Sequence, residues 1–215
     1  MRLINSLKKY KKNTALISNN RHVSFGELDS CSNDLAKNFK KENLMFLICE
    51  NSIESIFFYI SCIKKNCTLV LLEKNITSIN LNNLITKYEP RYIFLNKKNN
   101  YKFDKFNKKK NYMNFVLMES KNKIKIKINK DLKILISTSG TTGNPKYVKL
   151  TNQNIDSNTL SILKFLKINK NDTTITTLPM NYVYGLSIIN THLYVGAKIV
   201  LSDYSVLDKK FWSLL

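Results

Sequence analysis

Cysteine is scarce in this 215-residue chain, and its four copies, Cys31, Cys49, Cys62 and Cys67, never fall into a Cys-x-x-Cys pair. A zinc site built on two such pairs is excluded. The thiols read instead as small buried hydrophobes of a reduced, cytoplasmic protein. No apolar run approaches the roughly 20 residues that a membrane-spanning helix needs; the longest clear one is Ile56 to Ile63. Met1 to Lys12 carry charge without the apolar stretch of a secretory signal. Arginine is nearly missing, with Arg2, Arg21 and Arg91 set against 32 lysines. Base reading and bidentate phosphate contacts favour arginine, so the net charge of +20 does not read as a specific nucleic-acid surface. Lysine, asparagine and isoleucine are all abundant and all have A/T-rich codons, so a compositional bias accounts for the excess. Nonspecific attraction to polyanions at low salt is still expected.

What is present fits one folded unit. A hydrophobic content of 43% with 11% aromatics lets a chain of this length bury a sizeable core as a single domain, residues 1–215. Ser24 is placed to cap a helix running to about Lys41, and Ser52 another over Ile53 to Lys65. A third helix over Ile79 to Tyr88 stops short of Pro90. Leu44 to Cys49, Thr68 to Leu72 and Tyr92 to Leu95 read as strands between them. This alternation predicts an α/β fold with mostly parallel sheets flanked by helices. Residues from about 96 to 111 are rich in Asn and Lys and read as a basic, solvated linker. Asn114 to Met118 reads as a strand. Ile124, Ile126 and Ile128 then alternate with lysines at the period of a half-buried strand. Lys133 to Ser137, Tyr147 to Leu150, Thr173 to Thr177 and Lys198 to Leu201 are further strands. Helices are expected from Thr151 or Asn152 to about Leu166 and from Val183 to Tyr194.

The most informative segment is residues 137–146. An apolar strand runs into Thr138, Ser139, Gly140, Thr141, Thr142 and Gly143, and the turn closes on Lys146. Glycines allow the backbone to turn and approach a ligand closely. Successive N–H groups in such a turn form a concave anion site. The four hydroxyls and the lysine ammonium add donors. These are the parts of a phosphate cradle. The Walker pattern is not met, because Pro145 stands where that motif requires its second glycine.

This segment, Thr-Ser-Gly-Thr-Thr-Gly-Asn-Pro-Lys, resembles the phosphate-loop signature of the adenylate-forming superfamily. That group includes acyl-CoA synthetases, firefly-type luciferases and the adenylation domains of peptide synthetases. Leu178 to Leu186 is similar to the family's Leu-Pro-Leu-Phe-His-x-x-Gly-Leu block, and Gly196 to Leu201 to the Gly-Ala-x-x-Val-Leu strand after it. Weaker similarities lie at Ser24 to Leu28, at Asn51-Ser52 and at Thr68 to Leu72. The chain departs from the pattern at Tyr147 (usually Gly), Asn152 (often His) and Tyr182 (often His).

The resemblance implies activation of a small carboxylic acid by ATP and Mg²⁺ as an acyl-adenylate, with release of pyrophosphate. Transfer to a thiol would follow, with CoA or a carrier-protein phosphopantetheine as acceptor. It implies ATP-phosphate contacts from Thr138, Ser139, Gly140, Thr141, Thr142, Gly143 and Lys146, and acyl-pocket contacts from Tyr182 and Gly185. No catalytic residue or metal ligand is assigned within the chain. The family's downstream Gly-Tyr-Gly-x-Thr-Glu, ribose-binding aspartate and catalytic lysine do not follow Gly185. Phe211, Trp212, Leu214 and Leu215 would form an apolar face whose exposure forfeits roughly 1.5–3 kcal/mol per side chain. The expectation is therefore an incomplete chain, inactive alone, with a separately encoded C-terminal half as a possible partner. The alternative is a nonenzymatic remnant that binds nucleotide phosphates or a partner. His22 and His192 fall outside the motifs and read as surface or packing residues.

Overall fold

The computed structural model describes residues 2–122, 128–137 and 146–214. The first half runs α1 (Leu3–Lys9), β1 (Thr14–Ser18), β2 (Arg21–Ser24), α2 (Phe25–Ala36), β3 (Leu44–Ile48), α3 (Ile53–Lys64), β4 (Thr68–Leu72), α4 (Ser78–Tyr88) and β5 (Tyr92–Asn96). The second half runs β6 (Phe106–Tyr112), β7 (Phe115–Ser120), β8 (Leu132–Ser137), β9 (Tyr147–Thr151), α5 (Asn152–Leu166), β10 (Thr173–Thr176), α6 (Val183–Val195), β11 (Lys198–Leu201) and α7 (Lys209–Trp212).

The strands form two sheets, ordered β10-β11-β1-β2 and β6-β7-β5-β3-β4-β8-β9. In the first, β10, β11 and β1 are parallel and β2 folds back antiparallel. In the second, β5, β3, β4 and β8 are parallel. Antiparallel β7 and β6 extend one edge and β9 the other. The expected α/β architecture is thus a parallel centre with antiparallel margins.

Burial explains the sequence of the central strands. β3 and β4 are buried along their whole length, as continuous apolar runs in a parallel sheet covered on both faces should be. Alternate residues point to opposite sides. Met45 and Leu47 therefore join one core, while Leu44, Phe46 and Ile48 join a second core that also takes Leu81 of α4. The first core lies around α3, which packs against β1 of one sheet and against β3 and β4 of the other. A helix between two sheets has no wet side, so α3 is buried from Ile53 through Cys62. Phe58 stacks on Phe94 at 4.4 Å, and Phe94 on Phe115 at 5.0 Å.

Local signals set the helix starts. The Ser24 hydroxyl accepts from the N–H of Glu27, and that of Ser52 from the N–H of Ser55. Helix α2 ends at Ala36 rather than near Lys41. The Asn38 amide donates to the carbonyls of Asp34 and Leu35 and so takes over the helix's terminal acceptors. The stretch expected as a solvated linker also differs. Phe106–Tyr112 forms a hairpin with β7, and Tyr101, Phe103 and Phe106 pack against the second core. Its lysines occupy an exposed outer strand, where like charge discourages pairing with another chain.

The N-terminal segment α1–β1–β2 had no counterpart among the expected elements. Leu3 and Leu7, one turn apart, are buried on α1. Residues 123–127, which include Ile124 and Ile126, lie outside the described residues. Ile128 packs against the second core. At the other end, Trp212 is 59% exposed, and its indole N–H donates to the carbonyl of Val206 at 2.8 Å.

All four cysteines are free, Cys49, Cys62 and Cys67 buried and Cys31 half-buried. Among the described residues no helix is long and apolar enough to cross a membrane.

Candidate active site

The parallel strands bring several loops to one place. The carboxamide of Asn51, just past β3, donates to the carbonyl of Ser202, just past β11, at 3.2 Å. The carboxyl ends of β3 and β11 therefore meet. Because β4, β5 and β8 run with β3, and β10 and β1 with β11, the carboxyl ends of both sheets face the same edge. Open α/β sheets take their ligands at that edge.

Ser137 and Tyr147, which flank residues 138–146, lie on it. Ser137, the last residue of β8, pairs with Tyr147, the first of β9. Thr138, Ser139, Gly140, Thr141, Thr142 and Gly143 lie outside the described residues. Lys146 is exposed at the returning foot of the turn. Next to it, Tyr147 is half-buried and meets Tyr88 edge to face at 5.8 Å. Burial, with Tyr88 and Glu73 nearby, pushes its hydroxyl up to about 12. This tyrosine packs at the start of β9, at the position where the resembled pattern has glycine. Beyond β9 a capping box fixes α5: the Thr151 hydroxyl accepts from the N–H of Asn154, and the Asn154 carboxamide oxygen accepts from the N–H of Thr151.

The second block follows β10 on the same edge. The Leu178 N–H donates to the Thr176 hydroxyl at 3.2 Å, and the Tyr182 N–H to the carbonyl of Pro179 at 3.1 Å. Tyr182 occupies the N-cap of α6 without a side-chain cap bond, and half its surface is exposed. Gly185 is buried one turn on. A Cβ there would sit 2.3 Å from the Pro179 carbonyl oxygen and 2.7 Å from that of Leu178. The block's glycine is therefore required for α6 to lie against its own incoming loop.

Sequence reasoning missed Asn181. It is only 2% exposed, and its side-chain oxygen has no hydrogen-bond partner. The available signal was its place in the block, where the resembled pattern has phenylalanine.

A cavity of about 600 Å³ opens between the two sheets, with Glu50, Asn51, Asn96, Ser202, Asp203 and Tyr204 in its wall. The Asn96 carboxamide donates to Glu50 at 2.9 Å. Among the described residues no group of three or more His, Cys, Asp or Glu side chains is placed to hold a metal ion. His22 is exposed on β2. His192 is buried on α6, its Nδ1 paired with the Ile188 carbonyl at 2.9 Å, and burial lowers its pKa.

Comparison with known proteins agrees with this fold. The family model described as AMP-binding enzyme matches residues 3–215. Long-chain-fatty-acid–CoA ligase 5 of Rattus norvegicus is 40% identical over 73 residues, covering 32% of this chain and 11% of the rat protein. The solved O-succinylbenzoate coenzyme A synthetase (MenE) of Bacillus subtilis in complex with AMP superposes with a TM-score of 0.79 at 20% identity, covering all of this chain and 58% of that one. The same enzyme with ATP and magnesium ion gives 0.77 at 18% identity, over all of this chain and 60% of that one. The chain thus spans little more than half of these structures.

Proposed function

The chain belongs to the AMP-binding enzyme family, and on that premise we propose that it holds ATP and a carboxylic acid for formation of an acyl-adenylate. The carboxylate oxygen attacks the α-phosphorus, the bond to the bridging oxygen of the β-phosphate breaks, and pyrophosphate leaves. The acyl group then passes to a thiol, coenzyme A or a carrier-protein phosphopantetheine, with release of AMP. Residues 1–215 form part of the domain that carries out the first step. The free thiols of Cys31, Cys49, Cys62 and Cys67 support a reducing, cytoplasmic setting.

The physical obstacle is negative charge on both reactants. In this reading the N–H groups and hydroxyls of Thr138, Ser139, Gly140, Thr141, Thr142 and Gly143 hold the β- and γ-phosphates. The Lys146 ammonium pairs with them as a compact, mobile charge. Such a donor set fits a polyanion and not a bare metal ion. Mg²⁺ arriving with ATP supplies further positive charge on the phosphate oxygens. Tyr182 and Gly185 stand on the acid side, one presenting an exposed ring and the other allowing α6 to close on its loop.

The observation that supports the reading is the pairing of Ser137 with Tyr147 at the carboxyl edge of the parallel strands, which brings the two described flanks of residues 138–145 together. The test is equilibrium binding of MgATP to the chain and to Lys146→Ala. Losing one charge-assisted phosphate contact is worth roughly 1.5–3 kcal/mol, so affinity should fall about tenfold or more. Unchanged affinity would remove Lys146 from the site.

A further inference from the structure

Cys62 and Cys67 are drawn together by the way α3 ends. Asn66 takes a left-handed conformation at a φ of 54°, and its N–H donates to the Ile63 carbonyl at 3.1 Å. The N–H of Cys67 donates to the Cys62 carbonyl at 2.9 Å. This pair of bonds is the Schellman ending of a helix, whose first and last positions commonly meet through apolar side chains. Here both positions carry thiols. With that hydrogen bond made, standard covalent geometry keeps the two Cα atoms within about 7 Å, the limit beyond which a disulfide cannot close. The side chains also converge, because both line one small cavity together with Tyr59 and Lys133.

The two sulfurs are not equivalent. Burial pushes both thiols up, and for Cys62 the neighbouring Cys67 adds to the effect. Around Cys67, burial is opposed by the main-chain N–H groups of Asn43 and Glu42 and by the ammonium groups of Lys65 and Lys133. Successive N–H groups of this kind form a concave site for negative charge, and Glu42 is left-handed at a φ of 59°. The Cys67 thiol spends its proton only on long contacts to the carbonyls of Lys40 and Lys65, at 3.5 and 3.8 Å. The thiolate is the attacking species in exchange, so Cys67 is placed to attack and Cys62 to resolve. Asn66 and Thr68, on either side of Cys67 in the chain, wall a cavity of about 170 Å³ with Glu42 and Lys133. Asn66 and Glu42 are exposed, so Cys67 lies directly beneath the surface.

We propose that Cys62 and Cys67 form a reversible redox pair, oxidised to a disulfide by small disulfides of the glutathione type. The Cys67 thiolate attacks one sulfur of the small disulfide. The S–S bond breaks, and the departing thiolate takes up the proton that Cys67 gave up. The Cys62 thiolate then attacks the Cys67 sulfur of the mixed disulfide, and the second small thiol leaves with the proton of Cys62. The protein dithiol loses two electrons and the small disulfide gains them. Uncatalysed exchange of this kind takes minutes to hours, and a reducing compartment allows such disulfides as transient, sensing ones. The pair lies at the amino end of β4, the edge opposite the candidate active site, so it stands apart from the acid activation proposed above.

The test is incubation of the native chain in glutathione buffers of rising disulfide fraction, followed by acid quenching, alkylation and mass analysis of its peptides. Of the four free thiols, those of Cys62 and Cys67 should disappear together, their peptides joined and lighter by two hydrogen atoms. Excess dithiothreitol should restore both. Cys62→Ser should stop at a glutathione adduct on Cys67, whereas Cys67→Ser should leave Cys62 unmodified. The pairing itself is read from the native chain, so a serine variant that misfolds does not affect that result. Absence of the Cys62–Cys67 bond at every ratio, its appearance only in urea, or pairing of either residue with Cys31 or Cys49 would each overturn the proposal. Equal glutathione adducts in the two serine variants would overturn the order of attack.

Discussion

Asn51 and Ser202, 151 positions apart in the chain, are joined by a single hydrogen bond of 3.2 Å from the side-chain amide of one to the main-chain carbonyl of the other. The bond spans the carboxyl ends of two separate sheets and aligns the loops that leave them. Asn51→Ala should cost about 1 kcal/mol, the usual net worth of one such bond. Urea unfolding gives that number. MgATP affinity measured on the same variant shows whether alignment of the edges matters to the site. A midpoint equal to that of the parent would mean that packing alone aligns them.

Gly185→Ala should be costlier. The added methyl meets two main-chain carbonyl oxygens, which cannot swing aside as a side-chain tip would. Forcing α6 away from the 178–179 backbone should cost roughly 1–3 kcal/mol. A loss of thermal stability well beyond that of an alanine placed at an exposed helical site would confirm the close approach.

His192 supplies a pH dependence whose sign follows from its burial. Its folded pKa lies below the ordinary value of 6.5, so the unfolded chain takes up the proton first as pH falls. Stability contributed by the neutral ring is complete above the unfolded pKa. It declines as pH drops through 6.5 toward the folded pKa and then levels off. Urea midpoints near pH 7.5 and near pH 5.5 should differ more in the parent than in His192→Gln. Equal differences would show that the ring does not titrate between the two states.

Much of the fold could be read from the residues because its signals are local. Ser24, Ser52 and Thr151 cap the helices that follow them, and the apolar runs of β3 and β4 announce strands covered on both faces. Where a partner strand supplies the signal, the reading failed. Phe-Asn-Lys-Lys-Lys-Asn-Tyr has no alternation to mark β6. It is a strand because β7 pairs with it through a turn in which Met113 takes a left-handed conformation. The N-terminal hairpin β1–β2 is similar, since β1 gains its neighbour β11 from the far end of the sequence. The site divides in the same way. The composition of the proposed phosphate-binding segment is written in its residues, and so is the glycine that α6 needs. The meeting of the two edges and the dry acceptor of Asn181 exist only once distant segments have packed.

Helix α3 has a consequence for how the molecule comes apart. The two sheets share no strand, and in many proteins such units open independently. Here α3, buried all round, touches both sheets, so neither can open without stripping apolar surface from the same helix. Amide protons in β1 and in β3–β4 should therefore exchange through one common opening rather than two. The chain should melt as a single cooperative body, with α3 as its shared keystone.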